Sequence, residues 1–412
     1  MPPRAKKRKT PPEPQVSWND DVPDMDKHAA FTTWSIDRGV EITNVRPAKL
    51  AGRGLGLVTT TRVKKGKRIL FVPQKAMFKP LANLAKEASP QAQLACSAMA
   101  TCESPDDEGM AIWKATWPTD ADFEHSMPMR WLDDLRKLLP PSIEQPLLRQ
   151  EQDYARDLEA VRAFLSSQGR SADIFRYYWS IVNSRSFHWK PPKGKAGYMV
   201  MCPFIDYINH APSGTTCDVF QRPDGYEVIA NRDYAGKNTI DTFSAAGEEV
   251  LATYGAHSND KLLVHYGFIC NLPAGIHNED DDVRLDHVLL PRLTEAVRSQ
   301  LQDVGFLGGY ALLPASNELC FKTQVAVRAM LLTCNEWEYY VANGEDLAED
   351  HSEAVIAFVK ALLKEYRGDA LRKHGKVHPM KSQQTSAIDN ELRLLECRWR
   401  QIIDAIDEFL KA

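Results

Sequence analysis

At 412 residues the chain is too long for one ordinary core, and two or three domains are expected. A formal net charge of -4 excludes attraction to phosphate backbones by bulk charge, so a protein-directed body is expected and direct nucleic-acid binding is not. No apolar run is long enough to span a bilayer, the N-terminus lacks the apolar core of a secretory signal, and the eight cysteines show neither C-x-x-C pairs nor zinc spacing; a reducing compartment, cytoplasm or nucleus, follows as the expectation, with no membrane partner and no metal site.

Residues 1–28 combine Pro, Lys, Arg and Asp with few large apolar side chains, too few to offset chain entropy by burial, and this predicts a disordered tail. Its basic cluster, Arg4, Lys6, Lys7, Arg8 and Lys9, reads either as a nuclear import signal or as a solvated extension. Residues 29–80 begin with a short helix (FTTWSIDRG) and continue as strands, where LGLVTTTRV and RILFVP flank the turn KKGK and predict a hairpin. Over 81–180, the stretches NLAKEASPQAQLACSAMA, MRWLDDLRKLL and EQDYARDLEAVRAFLSSQ place apolar residues three and four apart, the spacing of amphipathic helices. Strand and turn character returns over 181–282. From 283 to 412 the helical spacing resumes, predicting a separate all-α C-terminal domain on an α+β chain.

Four short elements carry the chemistry. Gly52, Gly54 and Gly56 in AGRGLGLV could cradle a phosphate, but a strand, turn and strand follow rather than a helix, so no helix N-terminus faces a pyrophosphate and a dinucleotide site is disfavoured. Either a glycine-rich strand entry or close backbone approach to another nucleoside cofactor remains. Arg185, in VNSRSF, has the fork to clamp a carboxylate, though an arginine at a helix end is ordinarily a surface charge. PFIDYINH brings Asp206, Asn209 and His210, with no second His or Cys at ligand spacing and no Ser-His-Asp or Cys-His set to complete a nucleophilic triad. Last comes GEEVLATYGAHSNDKLLVHYGF, whose Tyr254, Tyr266 and Phe268 would, taken singly, be core aromatics.

In this order, G-R-G-L, S-R-S-F, D-Y-I-N-H and Y-G-x-x-S-N followed by H-Y-G-F resemble the SET-domain methyltransferases, specifically the split-SET group that includes the Rubisco large-subunit lysine methyltransferase. The resemblance covers residues 31–270 by motif and the C-terminal helices by length and character only. It implies a β-rich SET fold with a helical insert, S-adenosyl-L-methionine as cofactor, a protein substrate, a monomer and no metal. Residue by residue, it implies that Arg53, Gly54 and Leu55 hold the cofactor through backbone groups and that Arg185 engages its carboxylate. Asn209 and His210 would hold its aminoacyl end and adenine through the main chain, with Phe268 packed on the adenine. Tyr254 would be the active-site tyrosine, and Ser184, Phe187, Asp206 and Tyr266 would line the channel for the target lysine of a non-histone protein, ribosomal or translational proteins being the candidates. Rivals are a catalytically silent SET-fold scaffold, which would be expected to have lost the tyrosine, the Asn-His pair or the glycines, and a histidine methyltransferase, in which the channel tyrosine of Y-G-F is replaced. All are retained here. The stretch GKNTIDTFSAA between Tyr234 and Gly247 is longer than the group's short turn and is expected at the channel rim.

Overall fold

The computed structural model describes residues 25–50, 53–81, 87–104, 108–191, 196–235, 247–272, 276–383 and 389–412. The basic cluster and the 236–246 stretch lie outside them. Helix α1 (Met25–Asp37) begins earlier than the sequence pattern predicts. His28, read above as tail, is buried in it, because its ring nitrogen Nδ1 bonds the Tyr207 hydroxyl at 2.8 Å. One turn further on, Phe31 is fully buried and stacks on Trp113 at 5.8 Å and Phe204 at 5.7 Å between centroids, an offset aromatic packing that anchors the helix.

Four strands follow: β1 (Glu41–Ile42), β2 (Val45–Leu50), β3 (Gly54–Thr59) and β4 (Arg68–Pro73). KKGK does form a turn, with the Lys67 N–H on the Lys64 carbonyl at 3.1 Å, but the strands on either side of it do not pair. Instead β3 pairs antiparallel with β2, from Val45 opposite Thr59 to Leu50 opposite Gly54, and β4 pairs with β1 on one edge. The hairpin expectation is therefore corrected. A turn sequence dictates that the chain reverses, whereas the partner is chosen by which strand completes a ladder and buries the matching face.

The insert is helical as expected: α2 (Pro90–Cys102), α3 (Glu108–Lys114), α4 (Asp120–Glu124), α5 (Asp133–Arg136), α6 (Pro141–Ser167) and α7 (Ala172–Arg185). Proline at the first position of α6 suits a helix start, where its missing N–H has no intrahelical acceptor. Ser171 caps α7 by accepting the Ile174 N–H. That helix runs past the expected boundary at 180 and ends at Arg185, which places Ser184 and Arg185 on its last turn.

Next come β5 (Ser186–Trp189) and β6 (Tyr198–Met201), paired antiparallel; β7 (Asn209–His210); β8 (Cys217–Arg222) and β9 (Gly225–Ala230); and β10 (Leu251–Ala252). The largest sheet runs β1-β4-β9-β8. β7 and β10 pair in parallel, Asn209 opposite Leu251 and His210 opposite Ala252, which brings together two motifs about forty residues apart.

Helix α8 (Asn259–Tyr266) leads into the C-terminal half: β11 (Val283–Arg284), α9 (Asp286–Leu289), α10 (Glu295–Asp303), β12 (Ala311–Leu313), β13 (Glu318–Leu319), α11 (Phe321–Leu331), α12 (Cys334–Asn343), α13 (Glu349–Gln383) and α14 (Asp389–Lys411). Two features depart from a separate all-α domain. A small antiparallel sheet, β11-β12-β13, is set among the helices; strands of two or three residues are too short to show a period in the sequence. The hydrophobic core of this half also takes in Trp131, Leu135 and Ile143 from the insert and Leu263 and Val264 from α8, so it is continuous with the segment that carries the last motif.

Candidate active site

A cavity of about 960 Å³ opens where the motifs meet. Of the predicted site residues, Arg53, Gly54, Leu55, Ser184, Arg185, Phe187, Asp206, Asn209, Tyr254, Tyr266 and Phe268 all border it. His210 does not. It sits behind the wall, 4% exposed, and acts through hydrogen bonds.

The glycine segment is held against β7 from one side. Asn209 Nδ2 donates to the Leu55 carbonyl at 3.1 Å and to Glu249 Oε1 at 2.9 Å. A side chain at Gly56 would place its Cβ 2.7 Å from Asn209 Nδ2 and 2.7 Å from Leu50 Cδ1, closer than atoms pack, so those two side chains would have to shift to admit it. Arg53 reaches Glu249 Oε2 at 3.1 Å and donates to the His210 carbonyl at 3.2 Å. Burial raises the Glu249 carboxyl above its ordinary range, opposed by the Arg53 charge and the Asn209 bond.

Arg185 donates from Nη1 to the Asp206 carbonyl at 3.0 Å, while its Nε is buried without a hydrogen-bond partner among the described residues. Asp206 accepts weakly from Trp113 Nε1 at 3.4 Å through Oδ2, and among the described residues its buried Oδ1 has no side-chain partner. Burial pushes the Asp206 carboxyl up to about 6, against the pull of the Arg185 charge. Arg185 and Asp206 both border the cavity, and their opposite charges are what a ligand there would complement. A carboxylate for the guanidinium and an amine for Asp206 are the complementary groups, and an amino-acid-bearing nucleoside together with a lysine side chain supplies both.

Three aromatic rings also border the cavity. Tyr254 lies 5.2 Å from Tyr266 and 6.4 Å from Phe268 between centroids, and Tyr266 lies 6.2 Å from Phe268. The Tyr254 hydroxyl donates to the Ile208 carbonyl at 2.8 Å, and burial raises its pKa, so it is a neutral phenol rather than a base. Its backbone N–H donates to His210 Nδ1 at 3.1 Å. That bond needs an unprotonated Nδ1, and burial together with the nearby His257 holds the imidazole down to about 4. Gly267 turns the chain between Tyr266 and Phe268 at φ 74°, a left-handed value, and a Cβ there would meet Ser126 at 2.7 Å.

Several bordering residues were not singled out from the sequence. Lys27 and His28 come from α1, Thr116, His125 and Ser126 from the insert, and Asn390 from α14. Glu249, which holds Arg53 and Asn209 from outside the cavity lining, had a local signal as the acid of GEEV; the bordering residues just named come from segments with no motif. Among the described residues, no three His, Cys, Asp or Glu side chains converge as a metal-ligand set.

No family model matches the chain. The ribosomal lysine N-methyltransferase set11 of Schizosaccharomyces pombe is 27% identical over 226 residues, a match that takes in 55% of this chain and 52% of that one, so it spans about half of that relative's length. SET domain-containing protein 4 of Homo sapiens is 22% identical over 411 residues, covering 89% of this chain and 87% of the relative. The structure of Rubisco LSMT bound to sinefungin and monomethyllysine superposes with a TM-score of 0.58 at 16% identity, over 93% of this chain and 92% of that one. The chain has the α+β fold of Rubisco LSMT and is similar in sequence to a ribosomal lysine N-methyltransferase and to a SET domain-containing protein.

Proposed function

We propose that the protein is an S-adenosylmethionine-dependent protein-lysine N-methyltransferase. The observation that carries this reading is the convergence of Arg185 and Asp206 with the three rings of Tyr254, Tyr266 and Phe268 on one cavity. Arg185, the glycine segment, Asn209 and Phe268 are the residues that would hold the cofactor. When bound, S-adenosylmethionine supplies an electrophilic methyl group on a sulfonium.

The residues of the chain have three tasks. Asp206, ionised at neutral pH, draws in the lysine ammonium, and the faces of Tyr266 and Phe187 attract it by cation-π forces. Burial among those rings then disfavours the charged amine, whose proton leaves to solvent, so that the nitrogen lone pair is free. Tyr254 and the carbonyls beside it orient the amine in line with the bond that breaks and keep water out, which is where a displacement at carbon gains most of its rate. No covalent enzyme intermediate is required.

The substrate is a lysine in a non-histone protein. Because set11 is named a ribosomal lysine methyltransferase, ribosomal protein is the first pool to test. Purified enzyme, methyl-labelled S-adenosylmethionine and ribosomal protein from a strain lacking this enzyme are combined, and the labelled residue is identified by mass spectrometry. Label on a lysine is expected. Label on histidine, or cofactor binding with no transfer to any protein fraction, overturns the reading.

A further inference from the structure

Arg398 is the feature that the chemistry above leaves unused. It lies in the middle of α14, is wholly buried, and donates to Asp260 Oδ1 and Asp281 Oδ2, each at 2.7 Å, and to the Asp282 carbonyl at 3.0 Å. Burying a guanidinium with two carboxylates is costly and gives weak net stability, so such a node is better understood by what it holds in register.

What it holds is the segment that carries two rings of the cavity. Asp260 is on the first turn of α8, and Asp281 accepts both the backbone N–H of Asn259 at 2.8 Å and its Nδ2 at 3.2 Å. Asn259 Oδ1 in turn accepts the Cys270 N–H at 3.0 Å, tying the start of α8 to the chain just beyond its end. One turn along α14 from Arg398, Gln401 closes the same loop from outside: its Oε1 accepts from Asn259 Nδ2 at 3.1 Å and its Nε2 donates to the Cys270 carbonyl at 2.8 Å. Both ends of residues 259–270 are thus gripped by one face of one helix, and Tyr266 and Phe268 lie between the grips.

We infer that Arg398 and Gln401 of α14 are positioning residues that set where Tyr266 and Phe268 stand in the cavity. The C-terminal half then does more than offer a surface, because its last helix fixes one wall of the site. Small displacements of that wall change alignment at the reacting centre, so the effect is expected in cofactor affinity and turnover rather than in folding alone. The inference rests on the methyltransferase reading only for the turnover part.

The test uses the full chain with Gln401→Leu, which leaves the buried ion pairs intact, alongside Arg398→Lys and Arg398→Met. Three quantities are measured: amide hydrogen exchange, calorimetric affinity for S-adenosylhomocysteine, and kcat and KM on the labelled substrate. For Gln401→Leu, the expectation is faster exchange confined to 259–270, affinity reduced about three- to tenfold, and a fall in kcat with KM for protein substrate unchanged. Arg398→Lys, which keeps the charge but not the fork, should recover part of what Arg398→Met loses. Wild-type exchange in 259–270 with wild-type affinity in Gln401→Leu overturns the inference, as does faster exchange spread evenly over the C-terminal half. If the wild-type protein binds no S-adenosylhomocysteine, the methyltransferase reading fails, and the exchange pattern still decides the positioning role.

Discussion

Tyr254 illustrates how one hydroxyl can be tested apart from its ring. Its ring packs against His210 and Tyr266, while its hydroxyl has a single protein acceptor, the Ile208 carbonyl. Tyr254→Phe keeps the packing, so S-adenosylhomocysteine affinity should hold while kcat falls by about 10²-fold, the usual loss when a preorganised polar group leaves a reacting centre. Full turnover in a folded, cofactor-binding variant would move the catalytic role to Tyr266. Arg185→Ala should weaken cofactor binding by about tenfold or more, since a charge-assisted hydrogen bond contributes roughly 1.5–3 kcal/mol; calorimetry reads this directly. Asp206 and His210 have opposite linkage to folding. The Asp206 carboxyl is raised in the folded state to about 6, so from pH 6 down toward 4 the folded chain takes up a proton that the unfolded chain does not, and acid favours folding. The His210 imidazole is held down to about 4, so from pH 6.5 down toward 4 the unfolded chain takes up the extra proton, and acid favours unfolding. In the wild type the two largely cancel. Asp206→Asn removes the first and leaves the second, so the unfolding free energy from urea titrations between pH 6.5 and 4 should fall more steeply than in wild type, by up to about 1.4 kcal/mol per pH unit. Parallel curves would mean that Asp206 ionises normally.

At the scale of elements, the site depends on two close approaches of backbone. The β2–β3 pair is fixed against Asn209, and a methyl group at Gly56 would displace the Asn209 and Leu50 side chains. Gly56→Ala should therefore push Asn209 off the Leu55 carbonyl and cost about 1–3 kcal/mol, the range for overpacking, with cofactor affinity falling in step. A denaturant curve with calorimetry on the same sample checks both; an unchanged affinity would show that this approach does not shape the cofactor wall. The parallel β7–β10 contact is short, two residues on each strand, yet it sets Tyr254 beside His210. A ladder this small cannot stand by itself. It persists because the surrounding core, with Val250, Ile208 and Leu57 all buried, leaves the two segments no other arrangement.

Across the whole molecule, two hydrophobic cores are joined by the insert and α8 rather than by a linker. Trp399 shows the coupling: it is 1% exposed, and its indole N–H donates to the Leu138 carbonyl of the insert at 2.8 Å. Trp399→Ala should cost about 3–5 kcal/mol as a buried aromatic truncated to a cavity. Because this core includes Leu263 and Val264 of α8, loss of the C-terminal half should also release Tyr266 and Phe268 and abolish S-adenosylhomocysteine binding in the same urea transition. Separate transitions, with cofactor binding surviving the first, would show that the two cores are independent.

Much of the candidate site was legible in the sequence because its parts are short and local. G-R-G-L, S-R-S-F, D-Y-I-N-H and H-Y-G-F each occupy a few consecutive residues, and a strand entry, helix end or tight turn is encoded by the residues that form it. The helical insert could be read for the same reason, from apolar residues three and four apart. Partners could not be read. That β3 pairs with β2 and not across KKGK, that His28 is buried under Tyr207, and that His210 supports Tyr254 from behind the wall are choices between segments tens or hundreds of residues apart. Such choices are settled by which surfaces bury each other and which polar atoms find partners, and neither leaves a period in the chain. The tertiary structure alone also decided that the C-terminal half shares its core with the insert and reaches the site through Arg398 and Gln401, since a buried arginine in an amphipathic helix looks like a surface charge until its two carboxylates are found beside it.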